Sequence, residues 1–105
     1  MKTRIPVQAT LTSEQFGQVA KALADPRRMA LLEAIASQGE CPCERLRRDF
    51  PVSKGTISHH IKELVRAGLI DARKEGQYLN CEVRREVLEA YTAELLRRVS
   101  QTTVG

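Results

Sequence analysis

Ser53-Lys54-Gly55-Thr56-Ile57-Ser58-His59-His60-Ile61-Lys62-Glu63-Leu64, followed by Val65-Arg66-Ala67-Gly68, is the stretch on which the reading of this chain turns. Ile57, Ile61, Leu64 and Val65 recur at helical spacing, so one stripe of a helix faces a core. Ser53 belongs to the residue types that cap helix N-termini, and Gly68 to the type that ends a helix in the left-handed region. At roughly 100° per residue, Lys54, Gly55, Thr56, Ser58, His59 and Lys62 fall on the N-terminal and outer surface of that helix. The element is apolar on one side. At its start, on the other side, it is small, polar and basic.

Upstream, Cys41-Pro42 reads as the start of a short helix, with Cys41 as cap and Pro42 at the first helical position. That helix runs through Cys43 and Leu46 to about Asp49, because Phe50-Pro51 must leave the α region. Two helices joined by a tight Pro-containing turn, Cys43–Asp49 and Ser53–Ala67, make a helix-turn-helix whose second helix can fill a major groove. Hydroxyls and imidazoles there reach base edges, while lysine and helix amides meet phosphates. Downstream, the extended runs Leu69–Lys74 and Gln77–Val83 join through Glu75-Gly76, which predicts a β-hairpin. Arg73, Lys74 and Gln77 lie around its tip, an arm for the adjacent backbone or minor groove.

The flanks are helical. Thr12 with Gln15 has capping-box spacing, and Phe16, Val19, Ala20 and Leu23 follow at i, i+3, i+4, i+7. Asp25 caps a second helix with Pro26 at its first position, with Met29, Leu32, Ile35 and Ala36 inward and a stop near Gly39. Arg85 to Ser100 carries Val87, Leu88, Tyr91, Leu95, Leu96 and Val99 on one stripe, which a second subunit would cover. The expected fold is mainly α with a β-hairpin wing: a winged helix-turn-helix in the order α-α-α-α-β-β-α, dimeric. A flexible arm over 1–12, one domain over 13–100 and a tail over 101–105 complete the expected organisation.

The chain has 105 residues, 42% hydrophobic and 29% charged, a globular balance suited to one domain. Its apolar runs are far shorter than the ~20 residues that cross a bilayer, and the basic start Met1-Lys2-Thr3-Arg4 has no apolar region after it, so a cytoplasmic location is expected. The net charge of +4 is unevenly spread: residues 45–74 hold eight Lys/Arg against three Asp/Glu, and all other residues nine against ten. The basic excess therefore coincides with the helix-turn-helix and hairpin, the footprint of a phosphate-backbone partner. A small enzyme with Cys43 as nucleophile and a histidine base lacks a spelled-out Cys-His-Asx constellation. A winged helix used only for protein contacts leaves the concentrated charge without a purpose.

These residues resemble the ArsR/SmtB winged-helix repressors. Ser53 to Leu64 with Ala67-Gly68-Leu69-Ile70 is similar to their recognition-helix signature. Ala22-Leu23-Ala24-Asp25-Pro26-Arg27-Arg28 resembles the junction before their second helix, and Lys74-Glu75-Gly76-Gln77-Tyr78 their wing turn. The resemblance covers about residues 13 to 99. It implies a homodimer packed through its first and last helices that occupies a double-stranded DNA operator, represses, and is released by an inducer. It places His60 at a histidine common in such helices, where it packs or hydrogen-bonds, and leaves His59 as the better base contact.

Three cysteines in a cytosolic chain argue against a disulfide framework. With Cys41 as cap, Cys41 and Cys43 would both lie in the positive end of a helix dipole, near Arg45, Arg47 and Arg48, which favours thiolate. Glu40-Cys41-Pro42-Cys43-Glu44-Arg45-Leu46 also resembles the inducer site of arsenic-responsive family members. The resemblance implies Cys41 and Cys43 as ligands for As(III), Sb(III) or another soft ion, with Leu46 standing where a third cysteine is expected. The patterns of zinc- and cadmium-sensing members are absent. Three readings stand: a soft-ion site completed by a third ligand, thiol-based redox or electrophile sensing by the same cysteines, or a regulator with no metal site. Cys81, on the second wing strand, reads as a small buried hydrophobe.

Overall fold

The computed structural model describes residues 11–50 and 53–100, and within them not the side chains of Arg47 and Lys54. The expected arm, except its last two residues, and the tail lie outside the described residues. The elements run α1 (Ser13–Leu23), α2 (Pro26–Gln38), β1 (Glu40–Pro42), α3 (Cys43–Asp49), α4 (Lys54–Arg66), β2 (Ile70–Glu75), β3 (Tyr78–Val83) and α5 (Arg85–Ser100). This is the expected winged helix-turn-helix with one strand added.

The caps follow from the side chains. Thr12 Oγ1 accepts the Gln15 amide at 3.0 Å while Gln15 Oε1 accepts the Thr12 amide, a complete capping box for α1. Asp25 Oδ1 accepts the amides of Arg27 and Arg28 at the start of α2, where Pro26 needs no donor. The Asp25 carboxyl is correspondingly held below the usual carboxylate range. Ser53 Oγ accepts the Thr56 amide and starts α4, and Gly68 follows that helix at φ 82°, where a side chain would be strained.

The sheet is antiparallel in the order β1-β3-β2. β2 and β3 form the predicted hairpin, with Glu75 opposite Tyr78 across Gly76-Gln77. β1 was not expected. Pro42 does not open α3 from within; it closes β1 and sits at the N-cap position of α3 with extended φ and ψ and no side-chain cap bond. Cys41 therefore lies in a strand, paired in register with Cys81. Gly39 turns the chain at φ 75°, and the next three residues pair with an open edge on β3.

One core holds these layers together. Val19, Leu31, Leu32, Ile35, Leu46, Ile57, Ile61, Leu64, Leu69 and Ile70 are buried, joined by all three cysteines. Two expectations of facing fail. Met29 is exposed and Leu31 buried in α2, because that helix packs on α1, α4, β1 and β3 together and turns Leu31, Leu32 and Ile35 into their junction. Val65 is exposed in α4, whose seat is narrowed to Ile57, Ile61 and Leu64.

α5 returns to α1. Phe16 stacks on Tyr91 with centroids 4.9 Å apart, and the Arg98 guanidinium lies 4.0 Å from the Phe16 centroid. Arg98 also donates to Ser13 Oγ and to Glu94, a buried carboxylate that further accepts from Arg97 at 2.6 Å. The two guanidinium groups, through their hydrogen bonds, pull the Glu94 carboxyl down to about 2. The folded form thus prefers the carboxylate, so the stabilisation is present above the unfolded value near 4.5 and lost as pH falls toward 2. Glu94→Gln should lower the thermal midpoint at neutral pH. The gap from the parent should close between about pH 5 and pH 2, as read by circular-dichroism melts across that range.

Candidate nucleic-acid interface and thiol cluster

The start of α4 stands clear of the core that holds its other face. Ser53, Gly55, His59 and Lys62 are exposed and Thr56 and Ser58 half-exposed, all on the side away from Ile57, Ile61 and Leu64. The structure thus brings six of the seven expected groove residues of this helix together on one open surface; the side chain of the seventh, Lys54, lies outside the described residues. Ser53 and Thr56 are not independent, because the Ser53 hydroxyl donates to Thr56 Oγ1 at 3.0 Å while accepting the Thr56 amide. Their joint role is to fix the first turn and its amides, which point outward at the positive end of the helix.

Lys74 and Gln77 are exposed at the tip of the hairpin with Tyr78. Arg73 is exposed too, but it is held by an ion pair with Glu40 across the sheet, which raises its pKa through the hydrogen bond and charge of that carboxylate. Sequence spacing gave no sign of that pairing, since it depends on β1. Between α3 and the hairpin runs a cleft of about 420 Å³ lined in part by Arg45, Arg48, Tyr78 and Asn80, residues absent from the expected contacts except Tyr78 of the wing turn. Arg45 donates to Gln38 Oε1 at 2.8 Å, which ties the start of α3 back to α2.

His60 is the buried member of the histidine pair, as the packing role implied, while His59 is exposed. Among the described residues neither ring nitrogen of His60 has a hydrogen-bond partner, and burial pushes its pKa down against the nearby charge of Asp25. It sits under α4 against Pro26, Leu31 and Phe50 as an apolar ring. The two rings lie 5.8 Å apart and tilted, so they do not chelate one ion.

The cysteines depart from expectation. Cys41 and Cys43 are buried, and burial, with Cys43 beside it, pushes the Cys41 thiol up rather than toward thiolate. Its place in β1 removes it from the dipole of α3. The Cys41 thiol donates to the Pro42 carbonyl oxygen at 3.6 Å, while Cys43 Sγ stands 2.9 Å from Cys81 Sγ. Among the described residues no group of three or more His, Cys, Asp or Glu side chains is placed to hold a metal ion. Cys43 has a tertiary neighbour, Cys81, that the sequence spacing did not indicate.

Known proteins bear on this arrangement. A helix-turn-helix domain family matches residues 23–73. The arsenical resistance operon repressor of Staphylococcus xylosus is 30% identical over 79 residues, covering 75% of each chain. A crystal structure of an ArsR family transcriptional regulator superposes with a TM-score of 0.76 at 26% identity, covering 91% of this chain and all of that one. The homodimeric winged helix-turn-helix DNA-binding domain of a possible ArsR-family regulator from Mycobacterium bovis shares the fold, with a TM-score of 0.67 at 24% identity over 91% of this chain and 94% of that one. Among the described residues no helix is long and apolar enough to cross a membrane.

His60 supplies a direct check on this description. A base whose folded pKa is depressed binds its proton better when unfolded, so stability falls as pH drops below about 6.5. His60→Leu should flatten the loss of stability between pH 7.5 and 5.5 and leave duplex binding intact. Urea titrations at the two pH values, with a gel shift on the same protein, read both.

Proposed function

The chain belongs to the ArsR/SmtB family of winged helix-turn-helix transcriptional regulators, and on that footing we propose that it binds a DNA operator as a homodimer and represses the adjoining genes. The observation that carries this reading is the two-sidedness of α4. Ile57, Ile61 and Leu64 anchor the helix rigidly, and its capped first turn is presented outward within the segment that holds the whole basic excess.

In this reading Ser53, Lys54, Gly55, Thr56, Ser58, His59 and Lys62 face the major groove. His59 and Ser58 reach base edges; Lys62 and the amides of the first turn hold phosphates. Lys74 and Gln77 of the hairpin tip contact the neighbouring backbone or minor groove, with Arg73 available there once it leaves Glu40. The site of action is the cytoplasm, where such an operator lies. Affinity for duplex should fall steeply with salt. Lys62→Ala should weaken binding across all sequences and reduce the salt slope by about one, whereas His59→Ala should relax sequence preference at one position, worth about 1–3 kcal/mol. Fluorescence anisotropy at several salt concentrations on matched and scrambled duplexes separates the two; binding indifferent to salt would refute the reading.

Dimerisation is assigned to α1 and α5. Leu95, Leu96 and Val99 are exposed on α5, Leu96 by 64% and Val99 by 63%, so the outer face of that helix is apolar and uncovered within one subunit. The homodimeric M. bovis domain of the same fold supports covering it with a second copy. Leu96→Glu with Val99→Glu should give a folded monomer by analytical ultracentrifugation, with operator affinity reduced at least tenfold because one half-site contact is lost.

Release is proposed to act at the buried thiols. A soft ion such as As(III) or Sb(III) at Cys41 and Cys43 is a second reading, supported by kinship with a repressor of arsenical resistance. It requires Cys41 to turn from the Pro42 carbonyl. Arsenite added to the protein–DNA complex should release DNA from the parent and not from Cys41→Ser or Cys43→Ser; equal response of all three would end that reading.

A further inference from the structure

We propose that Cys43 and Cys81 form a redox pair that closes to a disulfide within one subunit, with Cys41 outside the bond. Their sulfurs lie 2.9 Å apart, although the two residues are 38 positions apart in the chain. A disulfide needs roughly 2.05 Å, so the sulfurs must approach by roughly 0.9 Å. Cys41, the register partner of Cys81, is the obvious rival, but its thiol is turned to the Pro42 carbonyl oxygen. All three are present as thiols in this structure.

The chemistry balances with hydrogen peroxide as oxidant. One thiol sulfur attacks the peroxide, the O–O bond breaks, and a sulfenic acid and one water form. The second thiol sulfur then displaces the sulfenic oxygen as a second water, leaving the S–S bond. Two electrons pass from the sulfur pair to the peroxide. Both residues are buried, so access of the oxidant limits the first step. The short, three-residue edge strand β1 is the part of the sheet whose opening admits the oxidant most readily. Once one sulfur is oxidised its partner is already in reach, which directs the product to a disulfide rather than to sulfinic acid.

The position of the bond gives it a consequence. Its ends are the first residue of α3 and a residue of β3, so the closed loop contains α3, α4, β2 and the hairpin turn, all the elements assigned to DNA. Drawing the start of α3 toward β3 shifts the helix-turn-helix against the hairpin, and DNA needs both in register. Oxidised protein should therefore bind operator at least fivefold more weakly. This last step rests on the operator-binding reading; the bond does not.

The experiment treats the reduced full-length protein with hydrogen peroxide, blocks remaining thiols with an alkylating agent under denaturing conditions, and maps peptides without reduction. The expected product is a Cys43–Cys81 linked peptide, lighter by two hydrogens, monomeric on a non-reducing gel, reversed by dithiothreitol and retained in Cys41→Ser. Cys43→Ser and Cys81→Ser should lack it. A linkage through Cys41, a linkage only between subunits, or sulfinic acid without linkage would overturn the pair. The bond formed with operator affinity unchanged would overturn its regulatory effect. Reduced protein that binds no duplex at all would instead count against the DNA reading, with the peptide map still deciding the bond.

Discussion

Everything the protein presents to a partner depends on how α4 is seated. Ile57, Ile61 and Leu64 lock one face of this helix against α1, α2, α3 and β2. A helix held by three buried aliphatic side chains has little freedom to roll, and a large-to-small change at such a site typically costs about 2–5 kcal/mol. The opposite face is therefore presented at a fixed angle. His60 extends the seat beneath the helix and His59, one residue earlier and about 100° around, escapes it. The same twist that buries one ring exposes the other.

The basic excess along residues 45–74 is smaller in effect than its count. Arg66 is engaged by Glu63 on its own helix, and Arg73 by Glu40 across the sheet. Exposed pairs of this kind contribute little stability, and a phosphate can compete for the cation. Among the described residues, Lys62 and Lys74 stay exposed on α4 and at the tip of the hairpin, with Arg45 and Arg48 beside the cleft of α3. Glu40, which pairs with Arg73, lies in the same strand that carries Cys41.

Much of this was legible in the chain, since it is encoded locally. Thr12, Asp25 and Ser53 mark helix starts through their own side-chain oxygens, Gly68 and Gly76 mark turns through positive φ, and the period of the apolar residues gives each helix. The exposed side of α4 followed from the same periodicity. What was not legible is tertiary. β1 is three residues long, too short to show alternation, and it exists because β3 offers an edge. Without β1, Cys41 seemed to belong to a helix start; with it, the thiol moves into a sheet and the dipole argument lapses. Met29 and Leu31 were exchanged for a related reason, because one stripe of α2 must satisfy four neighbours at once. The proximity of Cys43 and Cys81 depends on the fold bringing the α3 start onto β3, and no local signal carries it.

The proposed DNA-facing surface comprises the first turns of α4 and the hairpin tip. Hydrogen–deuterium exchange of the protein, with and without a duplex at low salt, tests it directly. Bound duplex should slow amide exchange in peptides covering 53–62 and 73–78, and leave the core-facing turns of α2 unchanged. Protection confined to α1 and α5, or none in either of the two predicted segments under conditions where the duplex is bound, would contradict it.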